Sequence, residues 1–148
     1  MGNHNRRGTL SIVGPGTEQL SVTDETVDCL GEVNDIMDIY NKHDILIAPL
    51  RAGSGTKFKV LESAAVGTIV ITTEVGMEGL DGFTNYEELL LANSPDEFAQ
   101  AVDFILTHPE KAAIIAKNAR DAVHKYHSWE QVGKKLLAYY ESVINSHR

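Results

Sequence analysis

The chain has 148 residues, a formal net charge of −8 and an apolar share of 43%, long enough to bury one globular core. The acidic balance excludes a general nucleic-acid binder, which needs Lys and Arg to neutralise phosphates, and electrostatic docking of this segment on an anionic membrane. No apolar run approaches the roughly 20 residues of a membrane span, and the single cysteine, Cys29, has no partner for an internal disulfide.

Residues 1–8 are polar and basic with no hydrophobic stretch, so no secretory signal is expected and the location expected is the cytoplasm. Thr9 to Val13 is β-branched and closed by Gly14-Pro15-Gly16, a strand followed by a tight turn. Val27 to Leu30 is a second strand ended by Gly31, with Cys29 in it as a buried structural thiol. Asn34 is placed to cap a helix carrying Asp35 in its first turn and Ile36, Ile39 and Tyr40 on its inner stripe. Ile45 to Pro49 is expected as a strand buried on both faces. The glycine-rich segment Arg51 to Gly55 leads into a helix with Phe58, Leu61, Ala64 and Ala65 inward, stopped by Gly67. Thr68 to Thr72 is another buried strand, and Glu88 to Leu91 a weaker one.

The rest is helical. Ser94 and Glu97 form a capping box with Pro95 at the first helical position, ahead of an apolar stripe of Phe98, Ala101, Val102, Ile105 and Leu106. Pro109 opens a helix with Ile115, Ala119 and Val123 inward. Ser128 and Gln131 cap a last one, packed through Val132, Leu136, Tyr139, Val143 and Ile144. Buried strands alternating with helices imply an α/β fold, a doubly wound Rossmann-like parallel sheet, as one domain over residues 9–148.

In such a sheet, ligands bind beyond the carboxyl ends of the strands. Gly14-Pro15-Gly16 lacks the third glycine of a dinucleotide fingerprint and reads as a plain turn. Arg51-Ala52-Gly53-Ser54-Gly55-Thr56-Lys57 follows the most apolar strand and opens a helix. The amino end of a helix carries partial positive charge suited to phosphate, and Lys57 or Lys59 adds a full charge. The spacing is not that of a P-loop. On local sequence alone, a phosphate site and a helix start with solvated lysines are both open. Glu62 lies seven residues past Gly55, nearly two turns or about 10 Å if both are helical, where a carboxylate could take ribose hydroxyls. Taken alone it reads better as a surface acid paired with Lys59.

Together these segments resemble the C-terminal, donor-binding domain of retaining GT-B glycosyltransferases of the group-1 (GT4) family. The resemblance runs from Leu10 to about Ile144. It is carried by Ile12-Val13-Gly14-Pro15-Gly16, Leu30-Gly31-Glu32-Val33-Asn34-Asp35, His43 to Leu50, Gly53 to Ala65, Thr73 to Leu80 and Tyr126-His127-Ser128-Trp129. It implies transfer of a sugar from a nucleoside diphosphate sugar to an acceptor with retention of configuration, in polysaccharide, lipopolysaccharide or glycoconjugate synthesis. It implies nucleobase contacts from Gly31, Val33 and Asp35 and a ribose contact from Glu62. Gly53, Ser54, Gly55, Thr56 and Lys57 are implied for sugar and diphosphate, with Lys57 as the catalytic charge. The family's other glutamate falls eight residues before Glu62, where this chain has Ser54, so donor-sugar identity is not implied. No metal or other cofactor is implied, and the scattered histidines His43, His108, His124 and His127 read as surface or helix-end residues.

The family's domain opens with one more strand and helix than this chain encodes, since a βαβ unit takes roughly 30 residues and Arg6 and Arg7 are poor substitutes for its phosphate clamp. In the strand order 3-2-1-4-5-6 the absent strand is the central one, so two sheet halves are expected. A partner chain, or a homodimer formed by strand exchange, is expected to fill the slot. The acceptor domain is absent too, and any approach to the inner face of a membrane is left to missing parts. Two other readings remain: a non-catalytic nucleotide-sugar-binding subunit or fragment of a split enzyme, and a nucleotide-sugar epimerase of related architecture, which the Leu61-Glu62-Ser63-Ala64-Ala65 neighbourhood disfavours.

Overall fold

The computed structural model describes residues 8–146. The polar segment expected over 1–8, with Arg6 and Arg7, lies outside the described residues except for Gly8. The chain divides into two compact units, the first running to Ile36 and the second starting at Met37.

In the first unit, β1 (Leu10–Val13) and β2 (Val27–Gly31) pair in parallel, with Leu10 opposite Val27 and Ile12 opposite Cys29. Gly14 and Gly16 take positive φ values of 142° and 83°, which turn the chain into a short 3-10 segment, Thr17–Gln19, not foreseen from the sequence. The Thr17 hydroxyl fastens the turn: it donates to the Gly14 carbonyl at 2.9 Å and accepts from the Gly31 amide at 3.0 Å. Gly14-Pro15-Gly16 is thus the plain turn expected. Cys29 is half-buried rather than buried, because β2 alternates between half-buried and exposed positions until Gly31, as befits a two-stranded ribbon.

The unit boundary falls at the start of α1 (Ile36–Lys42), which begins one residue later than expected, so that Asp35 immediately precedes it. The second unit holds a parallel sheet of β3 (Ile45–Ala48), β4 (Ile69–Thr72) and β5 (Leu90–Leu91), in the order β3-β4-β5. Central β4 is buried throughout. The expectation that the Ile45 strand is buried on both faces fails: β3 is half-buried and Ile47 is exposed, because β3 is an edge strand with one pairing neighbour. Among the described residues the strands therefore form two sheets, of two and three strands.

Helices cover both faces of the larger sheet. α2 (Phe58–Val66) joins β3 to β4 and ends at Gly67, whose φ of 93° suits a left-handed cap. Val60, Leu61 and Ala64 pack with Val70, Leu80, Phe83, Leu89, Ala119 and Ala122. On the other face Ile69, Ile71 and Leu90 meet Ala101 and Ile105 of α4 (Pro95–Thr107) and Ala112 and Ile115 of α5 (Pro109–Ala122). The expected inner stripe of α2 is corrected: Phe58 is 59% exposed and Ala65 only half-buried, while Val60 and Ser63 are buried. At 3.6 residues per turn the buried face is rotated away from the one Phe58 marks. α3 (Glu74–Met77), a single turn, and the π turn Val123–His127 were not foreseen.

The Ser94 cap is present, its hydroxyl accepting from the Glu97 amide, but the Glu97 carboxylate reaches the amide of Asn93, one residue beyond the usual capping box. Ser128 accepts from the Gln131 amide at 3.4 Å at the start of α6 (Trp129–Ser146). The packing expected of α6 through Val132, Leu136, Tyr139, Val143 and Ile144 is not found: all five are exposed and α6 buries no residue. An exposed Lys135–Asp81 pair at 3.2 Å links it to the segment after Leu80. No described helix is long and apolar enough to cross a membrane.

Candidate functional site

β3 and β4 are adjacent and parallel, so the segments leaving their carboxyl ends emerge at one edge, where ligands of such sheets sit. Two threonines bind these segments together. Thr72 donates to the Ala48 carbonyl at 2.9 Å, and Thr73 donates to the Leu50 carbonyl at 2.6 Å while accepting from the Gly76 amide as the cap of α3. The start of the glycine loop is thereby fixed to the start of α3.

The loop itself, Arg51 to Thr56, is exposed. Gly53 and Gly55, at φ 148° and 79°, let it double back on Lys57. That side chain is the unusual feature. Lys57 is only 7% exposed, and its ammonium donates to the carbonyls of Gly53 and Gly55 at 3.1 Å each. Among the described residues no carboxylate forms an ion pair with it. A buried charge is costly unless paired; two carbonyls supply partial negative charge, and one donor of the three remains.

α2 begins at Phe58 with Lys57 in the capping position, rather than near Gly55. The two-turn spacing expected between Gly55 and Glu62 on one helix therefore does not apply, since Gly55 is outside the helix. Lys57 lies at the amino end of α2, where the backbone adds partial positive charge.

A cleft of about 340 Å³ opens here, lined by Ser54, Gly55, Thr56, Lys57, Glu78 and Gly79. Four of the five loop residues expected at the site thus line one cleft, and Gly53 supports it through its carbonyl. Glu62 does not line it. It is half-buried on α2, four residues past Phe58 and hence on the same side of the helix. Burial, and after it the charge of Glu62, push the Tyr40 hydroxyl above its ordinary value.

Gly31, Val33 and Asp35 belong to the first unit. Gly31 is buried, with φ 67°, its amide on Thr17 and its carbonyl accepting from Gly14; a Cβ there would meet the Glu18 carboxylate. Val33 is half-buried and Asp35 exposed.

Glu78 and Gly79 also line the cleft, and neither is a candidate on the sequence alone. Thr73 to Leu80 carries the resemblance without an implied role, although it follows the most deeply buried strand, and its place at that strand's carboxyl end is the usable signal. Among the described residues there is no group of three or more His, Cys, Asp or Glu side chains able to hold a metal ion. Nδ1 of His43 and of His108 and Nε2 of His127 each lie against a backbone carbonyl.

A parallel α/β fold with a lysine-lined cleft beyond the carboxyl ends of neighbouring strands defines a Rossmann-like domain. The chain belongs to the family described as "Glycosyl transferase-like", whose model matches residues 3–138. No curated protein sequence matches it significantly. Among solved structures it is similar to the C-terminal domain of a group 1 glycosyl transferase, LpcC, from Francisella tularensis, with TM-score 0.65 and 22% identity over 72% of this chain and 56% of that one. It is similar to sucrose-phosphate synthase from Thermosynechococcus elongatus, with TM-score 0.75 and 22% identity over 94% of this chain and 39% of that one. It is also similar to Anabaena HepE, solved with UDP-glucose, with TM-score 0.76 and 17% identity over 90% of this chain and 41% of that one. The fold is that of the Rossmann-like C-terminal domain of GT-B glycosyltransferases, and the chain spans about 40 to 55% of the length of these neighbours.

Proposed function

We propose that the chain is the donor-binding domain of a retaining glycosyltransferase and that the cleft at Ser54 to Lys57 holds the diphosphate of a nucleoside diphosphate sugar. The single observation that carries this reading is Lys57: a lysine almost wholly buried at a helix amino end, lining a ligand-sized cleft, with no ion pair among the described residues. An anion completes that arrangement. HepE binds UDP-glucose and UDP, which supports a uridine or similar nucleotide as the ligand.

In the reaction, the bond between the anomeric carbon and the diphosphate oxygen breaks. A bond to the acceptor oxygen forms on the same face, and the hydroxyl proton leaves with the diphosphate. Charge grows on the diphosphate as that bond breaks, so a fixed cation stabilises the transition state more than the ground state. Lys57 and the start of α2 fill that role with no metal. Glu62 accepts hydrogen bonds from the ribose. The acceptor is bound outside this domain. The acidic surface and the unpaired Cys29 support a cytoplasmic setting for synthesis of a polysaccharide or other glycoconjugate.

Calorimetric titration with UDP, UDP-glucose and inorganic pyrophosphate tests the assignments. Lys57→Met should weaken all three about ten- to a hundredfold, the value of losing a charged hydrogen bond. Glu62→Ala should weaken UDP and UDP-glucose by a similar factor and leave pyrophosphate, which has no ribose, unchanged. A Lys57→Met protein that melts like the wild type and binds all three equally well would end the reading.

A further inference from the structure

Glu78 sits where a carboxylate has no structural duty. It ends α3, with its amide donating to the Glu74 carbonyl and its backbone at φ −53°, ψ 127° leading into Gly79 at φ 78°. α3 is capped by Thr73, and Thr73 is tied to Leu50. The backbone of Glu78 is thus held firmly at the cleft. Its side chain is exposed, and among the described residues it has neither an ion pair nor a hydrogen bond. It lines the same cleft as Lys57 and does not pair with it, because the Lys57 ammonium is turned onto the carbonyls of Gly53 and Gly55.

A cleft with an uncompensated cation and a separate unpaired carboxylate asks for a ligand with two different ends. An ionised carboxylate only accepts hydrogen bonds, so the part of the ligand beside Glu78 must donate them and carry no negative charge. A bare phosphate fits Lys57 and is repelled by Glu78. A hydroxyl-rich neutral ring attached to a diphosphate fits both. On the strength of the donor reading above, we propose that Glu78 grips hydroxyls of the transferred sugar, making it the residue that separates sugar nucleotides from free nucleotides and neutral sugars from acidic ones.

The test compares each sugar nucleotide with its parent diphosphate on the full chain: UDP-glucose and UDP-glucuronate against UDP, and GDP-mannose against GDP, by titration calorimetry. The wild type should bind one neutral sugar nucleotide more tightly than its parent diphosphate, and UDP-glucuronate more weakly than UDP-glucose. Glu78→Gln, isosteric and exposed, should lose about tenfold for the neutral sugar nucleotide, the effect of removing one charged acceptor. It should bind the parent diphosphate as well as the wild type or better, since a like charge is gone. Glu78→Asp should fall between the two. Opposite shifts for the two ligands cannot come from a general loosening of the fold.

Equal losses for both ligands, or none for either, would overturn the assignment of Glu78 while leaving the diphosphate site intact. So would a wild type that holds UDP or GDP but does not prefer any neutral sugar nucleotide. A wild type that binds none of these ligands would overturn the donor reading itself, and the role of Glu78 with it.

Discussion

α5 and α6 follow one another in the same unit and carry apolar residues at the same three- and four-residue spacing, yet they end in opposite environments. α5 buries Ala112, Ile115, Ala119 and Ala122, and three of those four are alanines. Small side chains let its backbone come close to α2 and to the sheet, so modest residues are fully enclosed. α6 carries the larger set, Val132, Leu136, Tyr139, Val143 and Ile144, and buries none of it. Trp129, at its start, is 85% exposed. Helical periodicity identifies which face is apolar; whether anything covers that face is decided elsewhere in the chain or outside it.

The contrast is sharpest at Ile115, 3% exposed and packed with Ile69, Ile71 and Leu90. Ile115→Ala should cost about 2–5 kcal/mol, the transfer term plus the cavity, read as a lower urea midpoint at unchanged slope. A loss below about 1 kcal/mol would mean that α5 is no better seated than α6.

Next in size is Gly76→Ala. A Cβ at Gly76 would collide with the Thr72 side chain, whose hydroxyl joins β4 to β3 through the Ala48 carbonyl. Overpacking of this kind costs about 1–3 kcal/mol, and because Glu78 is two residues on, ligand affinity should fall along with the melting temperature. Affinity retained in a destabilised protein would separate the cleft from this packing.

Capping changes come lower. Ser94→Ala should cost about 1 kcal/mol, because α4 is part of the folded core and its fraying is felt globally. Ser128→Ala removes a longer bond, 3.4 Å, from a helix that buries nothing. It should lower helical circular dichroism while leaving the unfolding midpoint in place. A common shift in both midpoints would show α6 to be coupled to the core after all.

The same division explains what the sequence disclosed. Thr68 to Thr72 reads correctly as a buried strand because both of its faces are covered by helices encoded nearby, and Gly67 stops α2 through a local backbone demand. Ile45 to Pro49 is as apolar, yet β3 is an edge; an unbroken apolar run does not say how many strands flank it, since pairing is set by distant segments. Phe58 departs from the expected stripe because it is the first residue of its helix, where a side chain can stand clear of the core. At the site, the glycines and Lys57 were visible as loop chemistry. The burial of Lys57 was not, because it depends on which carbonyls the ammonium folds back to meet. Glu78 was hidden for a related reason: Lys57, which lines the same cleft, lies more than twenty residues away in sequence, and the parallel pairing of β3 with β4 brings the two loops to one edge.

Ile144→Ala is the counterpart of Ile115→Ala and should produce the smallest effect of all. The same atoms are deleted, but Ile144 is 58% exposed on a helix that buries no residue. No cavity forms, little apolar area returns to water, and the change should stay within about 0.5 kcal/mol. The measurement is worth making at two protein concentrations. If α6 stands free, both give the same near-zero shift. If a second copy covers the stripe, the wild-type midpoint rises with concentration, as mass action requires, and Ile144→Ala removes that rise. A concentration-dependent loss of more than 1 kcal/mol would therefore turn the bare face of α6 into an interface, and would place its difference from α5 in the timing of burial, with α5 covered on folding and α6 on association.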